Sequence, residues 1–339
     1  MTISIAIDAM GGDRAPREVV RGAVQVAREV DDLALFLVGR DEAVREELEA
    51  AEWDGNSIEI VPAESVIEMG DSPVEALNKK RGSSIEIAMR MVREGNAQAF
   101  VSAGNTGACV AAGSLIARRL PAVKRPGIAV VFNTGRRAVV VIDVGANVAC
   151  KPEHLIQYGV MATIYSEEIL GQSSPKIGLL NIGEEDQKGH ELAKTTHGLF
   201  RDTSLNFVGN CEGSEIFKGD LGVIVCDGFV GNIVLKVAEG LGEHLLKLFV
   251  DSIQEGVASY GESEEVTPFI KESLSKLMRE VDYSEYGGAP LLGVDGNVII
   301  AHGRSDSKAI ANAVKVARRM TELNLNSRIT AELQALSKK

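Results

Sequence analysis

The 339-residue chain reads as an α/β protein, a three-layer αβα architecture around a mostly parallel sheet, on three observations. Short aliphatic runs alternate with amphipathic stretches. Gly- and Asn-rich loops follow the runs. Only 4% of residues are aromatic, so the apolar mass comes from Ala, Val, Ile and Leu. Aliphatic runs bounded by turn residues and alternating with helical patterns are what a parallel sheet with crossover helices produces.

Strands are expected over residues 3–7, 33–38, 58–61, 99–101, 128–132, 138–144, 176–180, 205–208, 221–226, 290–294 and 298–301. Most carry aliphatic residues at successive positions, which fits burial on both faces. Helix starts are marked between them. Pro16 precedes Val19, Val20, Ala23 and Val24; Asp41 precedes Val44 and Leu48; Ser83 and Glu86 form a capping box; and Pro152 precedes Leu155 and Ile156. Ser305 is expected to cap a helix running to about Leu323, followed by a short helix over 329–337.

The alternation stops at the loop 227–232. From Ile233 the pattern is helical to about Tyr260, turns through 261–265, and resumes from Pro268 to about Val281. This predicts an α/β domain of residues 1–240 and 286–339, with a helical hairpin inserted at 241–285. Leu245, Leu246, Phe249, Ile253 and Val257, and then Ile270, Leu274, Leu277 and Val281, recur at helical spacing. A hairpin projecting from a sheet has too little core of its own to bury them, so the arm is expected to be a surface that a second copy or an acyl chain covers.

A net charge of −12 opposes non-specific attraction to nucleic acid or to an anionic bilayer. No apolar run approaches the ~20 residues that span a membrane, and the first residues lack the basic flank of a secretory signal, which points to the cytoplasm. Cys109, Cys150, Cys211 and Cys226 are dispersed, without metal-ligand spacing, and read as reduced thiols. The sequence contains no GxGxxG opening its first helix, no GxxxxGK[ST] and no GxSxG, and no metal or cofactor site is expected.

The loops after the strands share a chemistry: DAMGGD at 8–13, SAGNTG at 102–107, DVGAN at 143–147, NIGE at 181–184, GNCEG at 209–213, DGFVGN at 227–232 and HGRS at 302–305. Gly admits a ligand close to the backbone, while Asn, Ser and Thr donate hydrogen bonds without net charge. Turn-making explains any one such loop. Their recurrence at strand ends, where ligands bind in open α/β sheets, points to a convergent polar site with phosphate as its natural occupant. Ser102, Asn105 and Thr106, at a predicted helix N-terminus, are the expected phosphate ligands, with Asn147 and Asn181 from neighbouring loops; Asn232, closing around the phosphate, Lys188 and His302 are the expected catalytic residues. Lys188 would balance charge on phosphate or on an oxyanion, and His302 would give a proton to a departing group. His197 and Asp202 have an H-x4-D spacing, but they fall at the end of a helical stretch, away from the strand ends, and read as surface residues.

Taken in order, IDAMGGD at 7–13, SAGNTGA at 102–108, DVGAN at 143–147, NIGEED with KG at 181–189, GNCEG at 209–213, DGFVGNIVLK at 227–236 and YSEYGGAPLLG at 283–293 resemble the PlsX family of phosphate acyltransferases. The resemblance implies transfer of a fatty acyl group from acyl carrier protein to inorganic phosphate. The acyl phosphate formed would feed a glycerol-3-phosphate acyltransferase in phospholipid synthesis. It also implies a fold similar to phosphotransacetylases and isopropylmalate dehydrogenases, a homodimer, and peripheral membrane association through the helical arm. The arm tip departs from the family's often apolar and basic pattern in carrying Glu262, Glu264 and Glu265. Rival readings are a phosphotransacetylase acting on acyl-coenzyme A, a decarboxylating dehydrogenase of similar fold, and a non-catalytic sensor of phosphate or acyl carrier.

An acidic carrier approaching an acidic chain needs a local basic surface. Between Ile116 and Ile142 the chain carries Arg118, Arg119, Lys124, Arg125, Arg136 and Arg137 and no Asp or Glu, and this segment is the expected docking patch.

Overall fold

The computed structural model describes residues 2–260 and 287–336. All the expected strands form, as β1 (Ile3–Asp8), β2 (Leu33–Gly39), β3 (Ile58–Pro62), β4 (Ala99–Ser102), β5 (Gly127–Asn133), β6 (Ala138–Ile142), β7 (Ile177–Leu180), β8 (Phe207–Cys211), β9 (Val223–Val225), β10 (Ala289–Leu292) and β11 (Asn297–Ile300). The helices are α1 (Arg17–Glu29), α2 (Asp41–Ala50), α3 (Pro73–Lys79), α4 (Ser84–Glu94), α5 (Thr106–Ala112), α6 (Pro152–Glu168), α7 (Glu191–Arg201), α8 (Gly228–Tyr260), α9 (Ser307–Glu322) and α10 (Leu325–Leu336).

The strands make one 11-stranded sheet in the order β3-β2-β1-β4-β11-β10-β5-β6-β9-β7-β8. Alternate residues of its strands feed two cores, one on each face. Ile3, Ile5 and Ile7 pack with α1, α2, α6, α7, α9 and α10. Ala6 and Phe100 pack with α3, α4 and α5, against which Val230, Val234 and Leu235 of α8 also lie. The result is the expected three-layer αβα arrangement.

Strand direction was not legible from the sequence, and it reshapes the site. β3, β2, β1, β4 and β11 run parallel to one another. β10 is antiparallel to both β11 and β5, and β5 is antiparallel to β6. The second parallel block, β6, β9, β7 and β8, therefore points the opposite way. Register brings two of the opposed ends level. Ile300 at the end of β11 pairs with Ala289, Leu291 pairs with Ile128, and Ala129 pairs with Ile142 at the end of β6. Both blocks thus end beside Ala129 and Val130 in mid-β5. Loops after β4, β11, β6 and β9 converge there, whereas those after β7 and β8 lie farther out on the second block.

Two sequence expectations change, and a third falls partly outside the described residues. Residues 227–232 do not form a loop: Asp227 Oδ1 accepts the Phe229 and Val230 amides, both at 3.0 Å, and α8 begins at Gly228. The last long helix is capped by Asp306, whose Oδ1 accepts the Ala309 amide at 2.9 Å, and not by Ser305. Of the hairpin, the arm up to Tyr260 is present in α8. Its turn, its second arm with Ile270, Leu274, Leu277 and Val281, and the tip with Glu262, Glu264 and Glu265 lie outside the described residues.

The basic segment also divides. Arg118, Arg119, Lys124 and Arg125 precede β5, whereas Arg136 and Arg137 follow it in the hairpin to β6. A seven-residue strand holds the groups about 20 Å apart. Lys124 Nζ lies 2.9 Å from Glu153 Oε1, and the Arg119 guanidinium bonds the Lys124 carbonyl. Among the described residues no helix is long and apolar enough to cross a membrane.

Candidate active site

Where the two blocks meet there is a cavity of about 360 Å3. Ile128 and Val130 of β5, Val144 and Val148 after β6, Leu235 of α8, Ala289 of β10, and Ile300 and Ala301 at the end of β11 give it an apolar wall. Thr106, Asn232, Lys236, Glu239 and His302 supply its polar groups.

A buried carboxylate organises each side. Asp143 follows β6 and is fully buried. Its Oδ1 accepts the amides of Ile128 (3.1 Å), Gly145 (3.1 Å) and Ala146 (2.9 Å), and its Oδ2 accepts that of Asn147 (2.8 Å). Burial raises its pKa above the ordinary carboxylate value, against the pull of these bonds. Asp8 does the same for the first block. It is buried, its pKa is raised by desolvation, and its Oδ2 accepts the Ser102 hydroxyl at 2.7 Å.

Several expected phosphate ligands turn inward. Ser102 Oγ bonds Asp8 and accepts the Gly104 amide at 2.9 Å. Asn105 caps α5 by accepting the Ala108 amide at 2.9 Å, and its Nδ2 lies 3.1 Å from each of the carbonyls of Glu68, Met69 and Asp71. Asn147 Nδ2 reaches the Pro126 carbonyl at 2.6 Å and the Tyr158 hydroxyl at 2.9 Å. All three shape the loops and do not line the cavity. Thr106 and Gly107 do, together with the first α5 amides, which helix geometry leaves without an intrahelical acceptor.

Asn181 and Lys188 belong to the β7–α7 loop. Asn181 Nδ2 donates to the Lys188 carbonyl at 3.1 Å, closing the loop, and the Lys188 side chain is exposed outside the cavity lining. Because β7 and β9 are parallel neighbours, this loop leaves the same sheet edge as the start of α8, one strand farther out. His197 is not a surface residue. It is buried, packs edge-on to Phe207 at 5.2 Å, and places Nε2 3.2 Å from Asp186 Oδ1 in the Lys188 loop. Asp202 ends α7 without joining it.

Of the three expected catalytic residues, the structure brings Asn232 and His302 together on the cavity. His302 Nδ1 accepts the Arg304 amide at 3.1 Å, so the neutral ring carries its proton on Nε2. Partial burial lowers its pKa, offset by the Glu239 charge. The ring is thereby set up as a neutral hydrogen-bond donor. The expectation that it gives up a proton does not suit this geometry, because an imidazolium would carry a proton on Nδ1, facing the Arg304 amide.

Sequence reasoning missed Lys236 and Glu239 as site residues. Lys236 stands four positions after Asn232, a spacing that places both on one helix face. Reading 227–232 as a loop concealed that relationship.

The fold is shared with solved enzymes of low sequence identity. A phosphotransacetylase from Streptococcus pyogenes superposes with a TM-score of 0.62 at 16% identity, over 95% of this chain and 94% of that one. EutD phosphotransacetylase from Staphylococcus aureus gives a TM-score of 0.60 at 15% identity, over 94% of each chain. Fold and cavity together define an α/β protein that shares the fold of these phosphotransacetylases and has its cleft between two opposed parallel blocks.

The sequence matches the family described as fatty acid synthesis protein over residues 3–328. Phosphate acyltransferase of Halothermothrix orenii is 45% identical over 331 residues, covering 97% of this chain and 98% of that protein. Phosphate acyltransferase of Dictyoglomus thermophilum is 44% identical over 338 residues, covering 99% and 98%. The chain belongs to this family of acyltransferases, the one its ordered motifs resemble.

Proposed function

We propose that this chain transfers a fatty acyl group from acyl carrier protein to inorganic phosphate, forming acyl phosphate and free carrier thiol. The observation that carries the reading is the joining, in one cavity, of an apolar wall able to take an acyl chain with the polar groups of Thr106, Asn232 and His302.

The chemistry needs no enzyme nucleophile. Phosphate esters lose their second proton near a pKa of about 6, and inorganic phosphate, somewhat less acidic, still supplies a substantial dianion fraction near neutrality. A phosphate oxygen attacks the thioester carbonyl carbon, forming a C–O bond and a tetrahedral oxyanion. The oxyanion collapses, the C–S bond breaks, and the carrier leaves as a thiolate that is protonated by water. Thr106 and the first α5 amides hold the phosphate, and the Asn232 side-chain amide donates to the oxyanion. Lys188 balances charge from the rim. The His302 Nε2–H donates a hydrogen bond to the departing sulfur. A single oxyanion donor is worth about 3 kcal/mol in other acyl-transfer enzymes.

The carrier docks on the basic group Arg118, Arg119, Lys124 and Arg125. This group precedes the β5 end from which Ile128 enters the cavity wall. Arg136 and Arg137 stand at the far end of that strand and take no part. A second copy of the chain covers the exposed apolar stripe Ile233, Val237, Leu241 and Leu245 of α8. In the same reading the arm touches the bilayer peripherally and the product passes to a glycerol-3-phosphate acyltransferase.

The carrier is tested by supplying the same acyl chain on acyl carrier protein and on coenzyme A. A higher kcat/KM with the protein carrier supports this reading. Equal or better use of acyl-coenzyme A supports the phosphotransacetylase alternative.

A further inference from the structure

We propose that Lys236 and Glu239 form the charged part of the phosphate site. Lys236 supplies the counter-charge for the dianion, and Glu239 holds the ammonium in the cavity until phosphate displaces it. The proposal rests on the acyl-transfer reading and names residues that reading leaves without a role.

Asn232, Lys236 and Glu239 follow one another at i, i+4 and i+7 on a single face of α8, and all three line the cavity. Lys236 is the only lysine or arginine in that lining among the described residues. A dianion moved from water to a wall that is largely apolar requires a cation beside it.

The pair differs from an ordinary helical surface pair. Lys236 Nζ and Glu239 Oε2 are 2.8 Å apart, and the Glu239 side chain is only 11% exposed. The Lys236 side chain is 56% exposed. In the surface pair Lys79–Glu75 the glutamate is 57% exposed, and where a helical glutamate is as enclosed, as in Arg90–Glu86 (12%), it also accepts a backbone amide, that of Gly82 at 2.7 Å. Exposed helical ion pairs need no burial, whereas drawing a carboxylate out of water carries a desolvation penalty. Helix stabilisation alone gives no reason to accept that penalty. A placeholder anion gives one: it keeps the flexible lysine directed into the cavity when phosphate is absent. Once phosphate binds, the carboxylate and the dianion repel each other. The two residues therefore act on phosphate affinity with opposite signs.

The test measures KM for phosphate and KM for acyl carrier protein substrate, together with calorimetric binding of inorganic phosphate alone, in wild type, Lys236→Met, Lys236→Arg and Glu239→Gln. Removing the cation is expected to raise the phosphate KM and Kd by about tenfold or more, with the acyl-carrier KM within about twofold, and arginine is expected to restore most of the loss. Glu239→Gln is expected to lower the phosphate Kd. Phosphate binding by Lys236→Met within about twofold of wild type overturns the proposal. So does weaker binding by Glu239→Gln. Absence of phosphate-dependent acyl transfer in wild type removes the acyl-transfer reading instead, while the calorimetric comparison still decides whether this pair holds phosphate.

Discussion

Gly231 lies against the backbone carbonyl of Asp143 so closely that a Cβ there would fall 1.9 Å from the oxygen. Real Cβ atoms do not approach oxygen that closely, so only glycine lets the start of α8 seat on the loop after β6. Asn232 is the next residue, and its side chain faces Gly145, which holds φ at 144°. The position of the proposed oxyanion donor is thus set by a backbone contact between the two ends of the site.

Gly231→Ala is expected to displace α8 and to act on catalysis and stability together. Overpacking of this kind costs about 1–3 kcal/mol. Thermal melting should show the loss, and kcat should fall with it. Unchanged kcat in a folded variant would detach Asn232 from the chemistry.

Asn232→Ala and Lys188→Ala are each expected to lower turnover by about tenfold or more with the fold intact, since one removes an oxyanion donor and the other the cation proposed to balance charge on the reacting groups. Circular dichroism with steady-state kinetics checks both. Near-wild-type kcat in either variant removes that residue from the mechanism.

His302 should show its protonation state in a pH series. Its folded pKa lies below the ordinary 6.5, so the neutral ring is favoured by folding. The stability it contributes is present above 6.5 and is lost as pH falls through the depressed value. The Tm advantage of wild type over His302→Gln should therefore be full near pH 7 and should shrink on acidification. A gap unchanged from pH 7 down to about pH 5 would contradict a ring held neutral by folding.

Reversing Arg118 and Arg119 to Glu is expected to raise KM for the acyl carrier and weaken its salt dependence, with little change in kcat, because rim charges mainly steer association. Reversing Arg136 and Arg137 should have little effect. The opposite pattern in a salt series would move docking to the β5–β6 hairpin.

The strands were legible because aliphatic runs buried on both faces leave a pattern that few other elements share. Their directions were not. Nothing local to β5, β6 or β10 records that they are antiparallel to their neighbours, and this reversal decides which loops meet. Ser102, Asn105 and Asn147 illustrate a second limit. The donors that bind phosphate also close loops, and only geometry separates an Asn105 that caps a helix from a Thr106 that faces the cavity. DGFVGN reads as a turn by composition, yet Asp227 converts it into a capped helix and so aligns Asn232 with Lys236. The basic residues from Arg118 to Arg137 are neighbours in sequence, and β5 separates them in space. His197 read as surface because its helix position hid the Phe207 ring and the Asp186 carboxylate that enclose it.

In the proposed reaction, phosphate attacks the carrier thioester in the cavity between the two blocks. The most direct measurement is release of carrier thiol from purified acyl carrier protein substrate as a function of phosphate concentration, with acyl phosphate quantified in the same samples. Thiol release is expected to saturate with phosphate, with one acyl phosphate for each thiol, and both are expected to fall by about tenfold or more in Asn232→Ala. Thiol release that proceeds equally without phosphate, or that yields free fatty acid in place of acyl phosphate, would contradict it.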